Sequence, residues 1–342
     1  MVSYFGFMNS LKLAEILVGE PKYRREQINK IIYKDLLTDW AAASVLPANL
    51  RSRLKAEVPL EINARLIKSS EGATIKALVT LADGLQIEAV LMRYEDGRNT
   101  ACISSQVGCP LSCTFCATGS MGFKRNLTAE EIVEQVLLFE RHLKPLGQKI
   151  TNVVFMGMGE PFLNYENVVL AVRQLNDPER FNLGARKISV STAGIPDLIR
   201  KFADDLPECN LAISLHSATS SLRSKIMPIN NAYDLSKVLD AVDYYIALTN
   251  RKVMFEYILI DGVNDSLKDA EALSQIANGR LVHVNLIPYN PTGIYKPPTK
   301  ERLQDFRLTL KQMGVSVTQR FKYGTDINAA CGQLAIKGEV TK

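Results

Sequence analysis

Three cysteines stand close together in the segment Cys109-Pro-Leu-Ser-Cys113-Thr-Phe-Cys116, and this spacing suits metal binding. In a reducing compartment, clustered thiols are typical of metal ligands or catalysts. A structural zinc site needs a fourth ligand nearby, and His142 lies too far along the chain, which leaves Cys102 as the remaining candidate. Three thiolates on a tight loop suit a [4Fe-4S] cluster with one iron open to a ligand. The spacing therefore favours such a cluster, and zinc is the alternative.

The other three cysteines are separated from this loop and call for separate interpretations. Cys331 lies in a stretch of small residues and is followed by glycine, which is typical of a mobile loop that can carry a thiol to a reaction site. Cys102 precedes the loop at the end of an apolar run. Cys209 has no such context, so we assign it to packing. Six cysteines in 342 residues are too few for a disulfide scaffold.

Short apolar runs alternate with helical patterns from residue 100 onwards, and these elements must position the thiols. The runs span 100–105, 152–157, 187–192, 211–216, 253–260 and 282–287, with a seventh candidate at 315–320. The clearest helix follows Thr128, where Glu131 completes the spacing of a capping box. Crossovers of this length predict a parallel sheet, and the number of units predicts a complete or partial (β/α) barrel. Its active site is expected at the carboxyl ends of the strands.

Polar or glycine-rich residues follow most of these runs, as that expectation requires. The first run leads into the cysteine loop. The candidate site residues after the other runs are Gly159 and Glu160, Ser191, Ser214 and His216, and Asn290. Any one of them alone is typical of a strand end. Five strand ends that carry such residues together predict a site at one rim.

The chain divides into three predicted parts. Residues 1–60 have helical periodicity, residues 61–94 alternate with the period of an antiparallel β extension, and residues 95–342 form the barrel with the Cys331 loop. No stretch approaches the roughly 18 apolar residues of a membrane span, and the N-terminus lacks the pattern of a secretory signal. We therefore expect a soluble cytoplasmic protein.

The net charge of +5 is unevenly distributed. Residues 1–60 hold nine Lys and Arg against six Asp and Glu, and residues 295–342 hold nine against four. Two basic ends around an acidic middle indicate a polyanionic partner, for which nucleic acid is the commonest choice. Uneven charge on a solvated surface is the alternative.

The spacing of the three loop cysteines, with Phe115 before the last, resembles the signature of the radical S-adenosylmethionine (SAM) superfamily. That resemblance implies a partial (β/α)6 barrel, a [4Fe-4S] cluster on Cys109, Cys113 and Cys116, and SAM on the open iron. It also implies that the segment with Gly159 and Glu160 contacts the ammonium of SAM. Ser191, Ser214, His216 and Asn290 would contact its ribose, carboxylate or adenine.

Longer blocks narrow the resemblance to the RlmN/Cfr family of radical SAM RNA methyltransferases. The blocks are CISSQVGCPLSCTFCATGSMGFKRNLTAEEI, FMGMGEPFLNYENV, SVSTAGI, SLHSAT, EYILIDGVNDS, HVNLIPYNP and DINAACGQL. In this family Cys331 takes a methyl group from one SAM, and a radical from a second SAM removes a hydrogen from it. The carbon adds to an adenine, Cys102 attacks the Cys331 sulfur to form a transient disulfide, and Glu88 matches the glutamate proposed to remove the ring proton.

The family contains two activities, methylation at adenine C2 (RlmN type, on 23S rRNA and in some members tRNA) and at C8 (Cfr type, associated with antibiotic resistance). Pro161 and the IPYNP segment resemble the RlmN side, whereas Tyr323 before Gly324 resembles Cfr. We expect C2 methylation of 23S rRNA, a reductant such as flavodoxin or ferredoxin, no membrane partner and a monomer. The alternatives are the C8 enzyme, a non-catalytic RNA-binding protein with a structural metal, and a radical SAM enzyme acting on a small molecule.

Overall fold

The computed structural model describes residues 10–320 and 324–335, and its first part is a small unit of short helices. The helices are α1 (Ser10–Ile16), α2 (Tyr23–Asn29), which continues as a π-helical turn over Lys30–Lys34, a 3-10 turn (Trp40–Ala42) and α3 (Ala48–Glu57). Trp40 is buried among them and donates from Nε1 to the carbonyl of Val58 at 2.6 Å. This unit is fastened to the remainder by Arg141, whose guanidinium donates to the carbonyls of Leu37 and Leu60.

Ten strands form one mixed sheet. Its antiparallel part consists of β1 (Ala64–Lys68), β2 (Thr74–Thr80), β3 (Gln86–Arg93) and β4 (Asn99–Cys102). A tight turn, with the amide of Gly97 donating to the carbonyl of Tyr94, joins β3 to β4. The sheet is therefore continuous across residues 94–98, where the sequence pattern suggested a boundary between the β extension and the barrel.

From β4 onwards the strands are parallel, as the long crossovers predicted. They are β7 (Asn152–Phe155), β8 (Ile188–Thr192), β9 (Asn210–Ser214), β10 (Val253–Leu259), β11 (Val282–Pro288) and β12 (Val317–Gln319). The order in the sheet is β1-β2-β3-β4-β7-β8-β9-β10-β11-β12, with β1 and β12 at the two edges. The barrel is therefore open, and its short seventh parallel strand coincides with the seventh candidate run.

Helices cover the outer face of the parallel strands. They are α5 (Ala129–Leu143), α6 (Tyr165–Asn176), α7 (Pro196–Asp205), α8 (Ser220–Ile226), α9 (Leu235–Thr249), α10 (Leu267–Ala277) and α11 (Lys300–Gln312). Short 3-10 turns span Lys144–Leu146, Pro161–Asn164, Ala185–Lys187 and Pro228–Asn231. The capping box predicted at Thr128 and Glu131 is confirmed.

A separate two-stranded hairpin interrupts the path from β4 to α5. It consists of β5 (Gln106–Gly108) and β6 (Phe123–Asn126), with α4 (Ala117–Ser120) between them. The sequence pattern did not predict this hairpin, because its strands are three and four residues long and β6 carries exposed charged residues. The hairpin closes the base of the loop that holds the three clustered cysteines.

Candidate active site

The loop with Cys109, Cys113 and Cys116 has a strained, closely packed backbone. At its start, Gly108 has φ +75°, and a Cβ there would lie 1.8 Å from the carbonyl oxygen of Gly122. The amide of Cys109 donates to that same oxygen at 3.1 Å. Ser112 adopts a left-handed conformation with φ 51°. Residues other than glycine rarely adopt this conformation, so the loop has a defined shape that presents the thiols together.

The surroundings of the three thiols are largely apolar. Cys113 and Cys116 pack against a buried cluster that includes Phe115, Ile226 and Met227. Burial, and to a smaller degree the nearby Glu160 carboxylate, raises the pKa of the Cys109 thiol to about 12. Burial also raises the pKa of Cys113. Bound iron would overcome this cost, since a metal-coordinated thiol is deprotonated.

The donor set of this loop fits a [4Fe-4S] cluster better than a single zinc ion. Within residues 10–320 and 324–335, no group of three or more His, Cys, Asp and Glu side chains converges to hold one metal ion. An iron–sulfur cluster distributes its thiolate ligands over separate iron atoms, so its cysteines need not meet at a point. The fourth candidate zinc ligand, Cys102, lies in β4 and lines a different cavity, together with Cys331. Three thiols therefore remain for the loop.

Beside Cys116 lies a cleft formed by the carboxyl ends of the parallel strands. Its lining includes five of the predicted SAM contacts, which are Gly159, Glu160, Ser191, Ser214 and His216. The sixth, Asn290, lies in the adjoining cavity. Cys331 lines both. The cleft thus connects the loop thiols to the Cys331 thiol.

Glu160 is a buried carboxylate held between two strand ends. Its Oε1 accepts from the amide of Phe162 at 3.0 Å, and its Oε2 accepts from the amide of Ala193 at 2.8 Å. Burial raises the pKa of Glu160, and these hydrogen bonds oppose that rise. Because an oriented carboxylate in a cleft attracts a cation, Glu160 is suited to an ammonium group.

The two serines of the cleft come from neighbouring strands. Ser191 in β8 and Ser214 in β9 bring their hydroxyl oxygens to 3.4 Å from each other. Beneath them, the fully buried Arg223 donates to the carbonyls of Ala193, Ser214 and Leu215 and fixes the two strand ends. The hydroxyl pair is suited to bind a polar ligand such as a ribose.

His216 is a buried histidine in a left-handed conformation, with φ 57°. Its Nδ1 accepts from the amide of Ile258 at 3.1 Å, which assigns the ring proton to Nε2. Burial lowers the pKa of His216 to about 3, so the ring is neutral. Its ring lies edge-on to Phe115, with the centroids 4.8 Å apart. His216 can therefore act as a fixed neutral donor between the cysteine loop and the cleft.

The adjoining cavity brings Cys102 and Cys331 together. Burial, and the proximity of Cys331, raise the pKa of Cys102 to about 12. Asn290 donates from Nδ2 to the carbonyl of Cys331 at 3.1 Å. The structure therefore places two thiols 229 positions apart in sequence beside one cavity, and all six cysteines are free.

The Cys331 segment is attached to three other parts of the molecule. Its Gly332 carbonyl accepts from the amide of Ala117 at 2.8 Å, which ties it to the helix after the cysteine loop. Asp326 accepts from the amide of Ser70 at 2.8 Å, in the turn between β1 and β2. Asn290, as above, ties it to the end of β11. The segment therefore lies across the rim of the barrel. Tyr323, the residue that resembles Cfr and not RlmN, lies outside the described residues.

Glu88 is buried in the middle of β3, and its two carboxylate oxygens differ in their contacts. Oε1 lies 2.9 Å from Nζ of Lys76, whereas Oε2 has no hydrogen-bond partner among the residues that the structure describes. Burial raises the pKa of Glu88, whereas Lys76 and, to a smaller degree, the backbone amide of Ala335 oppose that rise. Strand alternation places Glu88 on the same face of β3 as Val90 and Met92, which line the cavity of Cys102 and Cys331.

Two charged residues of the site were not identified from the sequence. Arg320 follows β12 and lines both cavities. Glu256, in the middle of β10, lines the cleft, and its Oε2 lies 4.0 Å from Nη1 of Arg320. A single acidic residue inside the apolar run VMFEYILI was a usable signal for Glu256.

Comparison with known proteins first gives the class of enzyme. A family model described as the radical SAM superfamily matches residues 103–273, which contain the cysteine loop and the ends of β7, β8, β9 and β10. A crystal structure of a radical SAM methyltransferase from Sphaerobacter thermophilus superposes with a TM-score of 0.91 at 44% identity, over 98% of this chain and 99% of that one. The partial-barrel prediction is thus confirmed.

Two curated relatives narrow the class. A probable dual-specificity RNA methyltransferase RlmN from Geobacillus kaustophilus is 44% identical over 96% of this chain and 91% of its own length. Another of the same name from Caldicellulosiruptor saccharolyticus is 47% identical over 92% of this chain and 91% of its own. The chain therefore belongs to the RlmN family of radical SAM RNA methyltransferases, which use a [4Fe-4S] cluster and SAM. In the described part of the chain, none of the helices has the length and apolar character needed to cross a membrane.

Proposed function

We propose that this enzyme methylates C2 of an adenosine in 23S rRNA, and also acts on tRNA as the dual-specificity name of its relatives indicates. The observation that carries the proposal is the shared cavity of Cys102 and Cys331, which opens beside the cleft with Glu160. A protein that only binds RNA has no use for two thiols in that arrangement. The RlmN-like segments around Pro161 and after β11 favour C2 over C8.

In this proposal Cys109, Cys113 and Cys116 hold the cluster, and Glu160, Ser191, Ser214 and His216 surround SAM, with Asn290 at the adjoining cavity. When bound, the cluster and SAM supply the radical that removes a hydrogen atom from a methyl group carried by Cys331. The target carbon of adenine is not nucleophilic, so covalent catalysis through a cysteine is the available route.

The residues of this chain then complete the transfer. Once the methylene carbon is bonded to both adenine and the Cys331 sulfur, Glu88 accepts the ring proton. The unpaired electron of the adduct would pass back to the cluster held by Cys109, Cys113 and Cys116, which restores the closed-shell aromatic ring. The Cys102 thiolate attacks the Cys331 sulfur, an S–S bond forms, and the C–S bond breaks with its electron pair passing to the carbon, which takes up a proton. A cellular thiol reductant restores both cysteines for the next cycle.

The RNA substrate determines where the enzyme works and what it must contact. An adenosine must leave its base stack to reach thiols that lie inside the barrel. The enzyme works in the cytoplasm as a monomer, where RNA is present and flavodoxin or ferredoxin supplies the electron. The basic ends of the chain contribute phosphate contacts that weaken with added salt.

The test uses cysteine variants of the protein purified without oxygen, with rRNA from cells that lack their own adenine C2 methyltransferase. With SAM and dithionite, the wild type is expected to yield 2-methyladenosine and 5′-deoxyadenosine by mass spectrometry of the digested RNA. Cys331→Ala is expected to yield no methylated adenosine. Cys102→Ala is expected to leave RNA covalently joined to the protein, because the C–S bond is no longer broken.

Cys209→Ala is the matched control, because Cys209 is buried in packing away from both cavities. It is expected to retain wild-type product formation. Formation of 8-methyladenosine alone would contradict the C2 assignment. Undiminished turnover of SAM without RNA would favour a small-molecule substrate. Absence of both a cluster and 5′-deoxyadenosine would favour a passive RNA-binding protein.

A further inference from the structure

Arg320 is the one charged side chain, among the described residues, that lines both the cavity of Cys102 and Cys331 and the neighbouring cleft. Its backbone amide donates to the carbonyl of Leu286 at 2.8 Å, so it extends the pairing of β12 with β11. Its side chain lines the cavity of Cys102 and Cys331, and also the cleft that contains Glu160. With 21% of the side chain exposed, the guanidinium is largely withdrawn from water.

The acidic side chain nearest to Arg320 in the structure, Glu256, lies too far away to neutralise the guanidinium fully. Nη1 lies 4.0 Å from Oε2 of Glu256, beyond hydrogen-bond distance. That same oxygen of Glu256 accepts from Nδ2 of Asn285 at 2.8 Å, which holds the carboxylate towards β11. The other contact of Nη1 is a weak one, to Sδ of Met156 at 3.7 Å. Much of the guanidinium charge is therefore available to the cavity.

A positive charge beside this cavity favours reactions in which a cysteine sulfur is the nucleophile. The thiolate, not the thiol, is the nucleophile, and burial in apolar surroundings disfavours the thiolate. A guanidinium remains charged under all relevant conditions, and its attraction to an anion is stronger in a poorly hydrated cavity than in water. The pKa of Arg320 is raised by nearby negative charge, most of all from Cys331 and to a smaller degree from Glu256 and Cys102. In return, Arg320 opposes the rise in the pKa of Cys102.

We propose that Arg320 is a positioning residue for methyl transfer, whose guanidinium is the counter-charge to the sulfur of Cys331 when that sulfur attacks the methyl group of SAM. The inference rests on the proposed role of Cys331 as methyl carrier. In the step concerned, the thiolate attacks the methyl carbon of SAM, an S–C bond forms, and the bond from that carbon to the sulfonium breaks. The electron pair stays on the departing thioether, so one anion and one cation give two neutral sulfur centres. Glu256 limits the effect by sharing the same cation.

The test measures the rate at which Cys331 is alkylated by iodoacetamide in the anaerobic holoenzyme at one fixed pH. Mass spectrometry of the Cys331 peptide follows the unmethylated fraction. Arg320→Gln is expected to slow alkylation about tenfold, the effect of removing one close opposite charge. Arg320→Lys is expected to retain most of the wild-type rate. Glu256→Gln, which keeps the hydrogen bond with Asn285 possible, is expected to accelerate alkylation.

The opposite direction of the two Gln variants separates a charge effect from damage to the fold, which would change both rates in the same direction. Arg53→Gln is the control, because Arg53 lies in α3, has a half-exposed side chain and pairs with Glu57 of the same helix. A wild-type rate in Arg320→Gln, or equal slowing in Arg320→Gln, Arg320→Lys and Glu256→Gln, would overturn the proposal. Alkylation needs neither RNA nor turnover. If the wild type formed no 2-methyladenosine, the proposed function would be contradicted, but the order of the alkylation rates of these variants would stay the same.

Discussion

Glu88 and Lys76 form a buried ion pair on the inner face of the sheet, and the pair bears on how a proton leaves the adenine ring. Lys76 contacts only one oxygen of the carboxylate, at 2.9 Å, and the other oxygen forms no hydrogen bond of ordinary geometry in the described part of the chain, although the backbone amide of Ala335 lowers the pKa of the carboxyl group. Such an oxygen can accept a proton from a substrate. Lys76 thus serves to keep Glu88 ionised in a place where burial favours the protonated acid.

The pH dependence of methylation tests this role. Glu88 accepts a proton only when ionised, so the rate falls as the pH drops through its pKa, which burial places above the ordinary range of a carboxyl group. Lys76→Met removes the opposing charge and raises that pKa further. The acidic limb of the pH profile of the single-turnover rate is therefore expected to move to higher pH, by about one pH unit or more.

Lys76→Arg, which keeps the positive charge, is the matched variant and is expected to retain a limb near that of the wild type. An unchanged limb in Lys76→Met would mean that Glu88 is not the group whose ionisation limits the rate. Glu88→Gln is expected to retain methylation of Cys331 while losing release of methylated RNA.

At the scale of elements, the site depends on how closely the ends of β4 and β7 approach. Gly157 follows β7, and a Cβ at that position would lie 2.7 Å from the backbone carbonyl carbon and oxygen of Ile103, which follows β4. Its amide also donates to that carbonyl at 3.0 Å. Only glycine permits this approach, which sets one wall of the cleft.

Gly157→Ala is expected to separate the two strand ends, destabilise the fold by about 1–3 kcal/mol and weaken SAM binding. Thermal unfolding and calorimetric titration with SAM measure the two effects. Gly184→Ala is the matched control, because a Cβ at Gly184 meets nothing within 4 Å and its φ is −56°. If both variants bound SAM as the wild type does, the close approach would have no bearing on the cleft.

At the scale of the whole molecule, the periodic features of the sequence predicted the structure better than the isolated ones. Each buried run from 152 onwards contains a strand, because short runs rich in Val, Ile and Leu between helical patterns are typical of buried parallel strands. The pairs of Lys76 with Glu88 and of Glu256 with Arg320 could not be predicted in this way. They join residues on different strands, and no local pattern encodes such a pairing.

The ion pairs of the structure change how the charge distribution of the chain is interpreted. Several cations of the N-terminal unit contact acids of the same unit, as Lys30 does with Asp35 and Lys55 with Asp39. Exposed pairs of this kind contribute little to stability and reduce the field available to RNA. The basic N-terminal surface therefore stays a prediction, and Lys22 and Arg25 are its exposed candidates.

The isotopic content of the product tests most directly whether the methyl group passes through Cys331. With SAM carrying a CD₃ group, the radical step removes one deuterium while the carbon is attached to the cysteine, and the carbon later takes one hydrogen from solvent. Passage through Cys331 predicts adenosine methylated at C2 with two deuterium atoms, measured by mass spectrometry of the digested RNA. A product with three deuterium atoms, or one methylated at C8 alone, would contradict it.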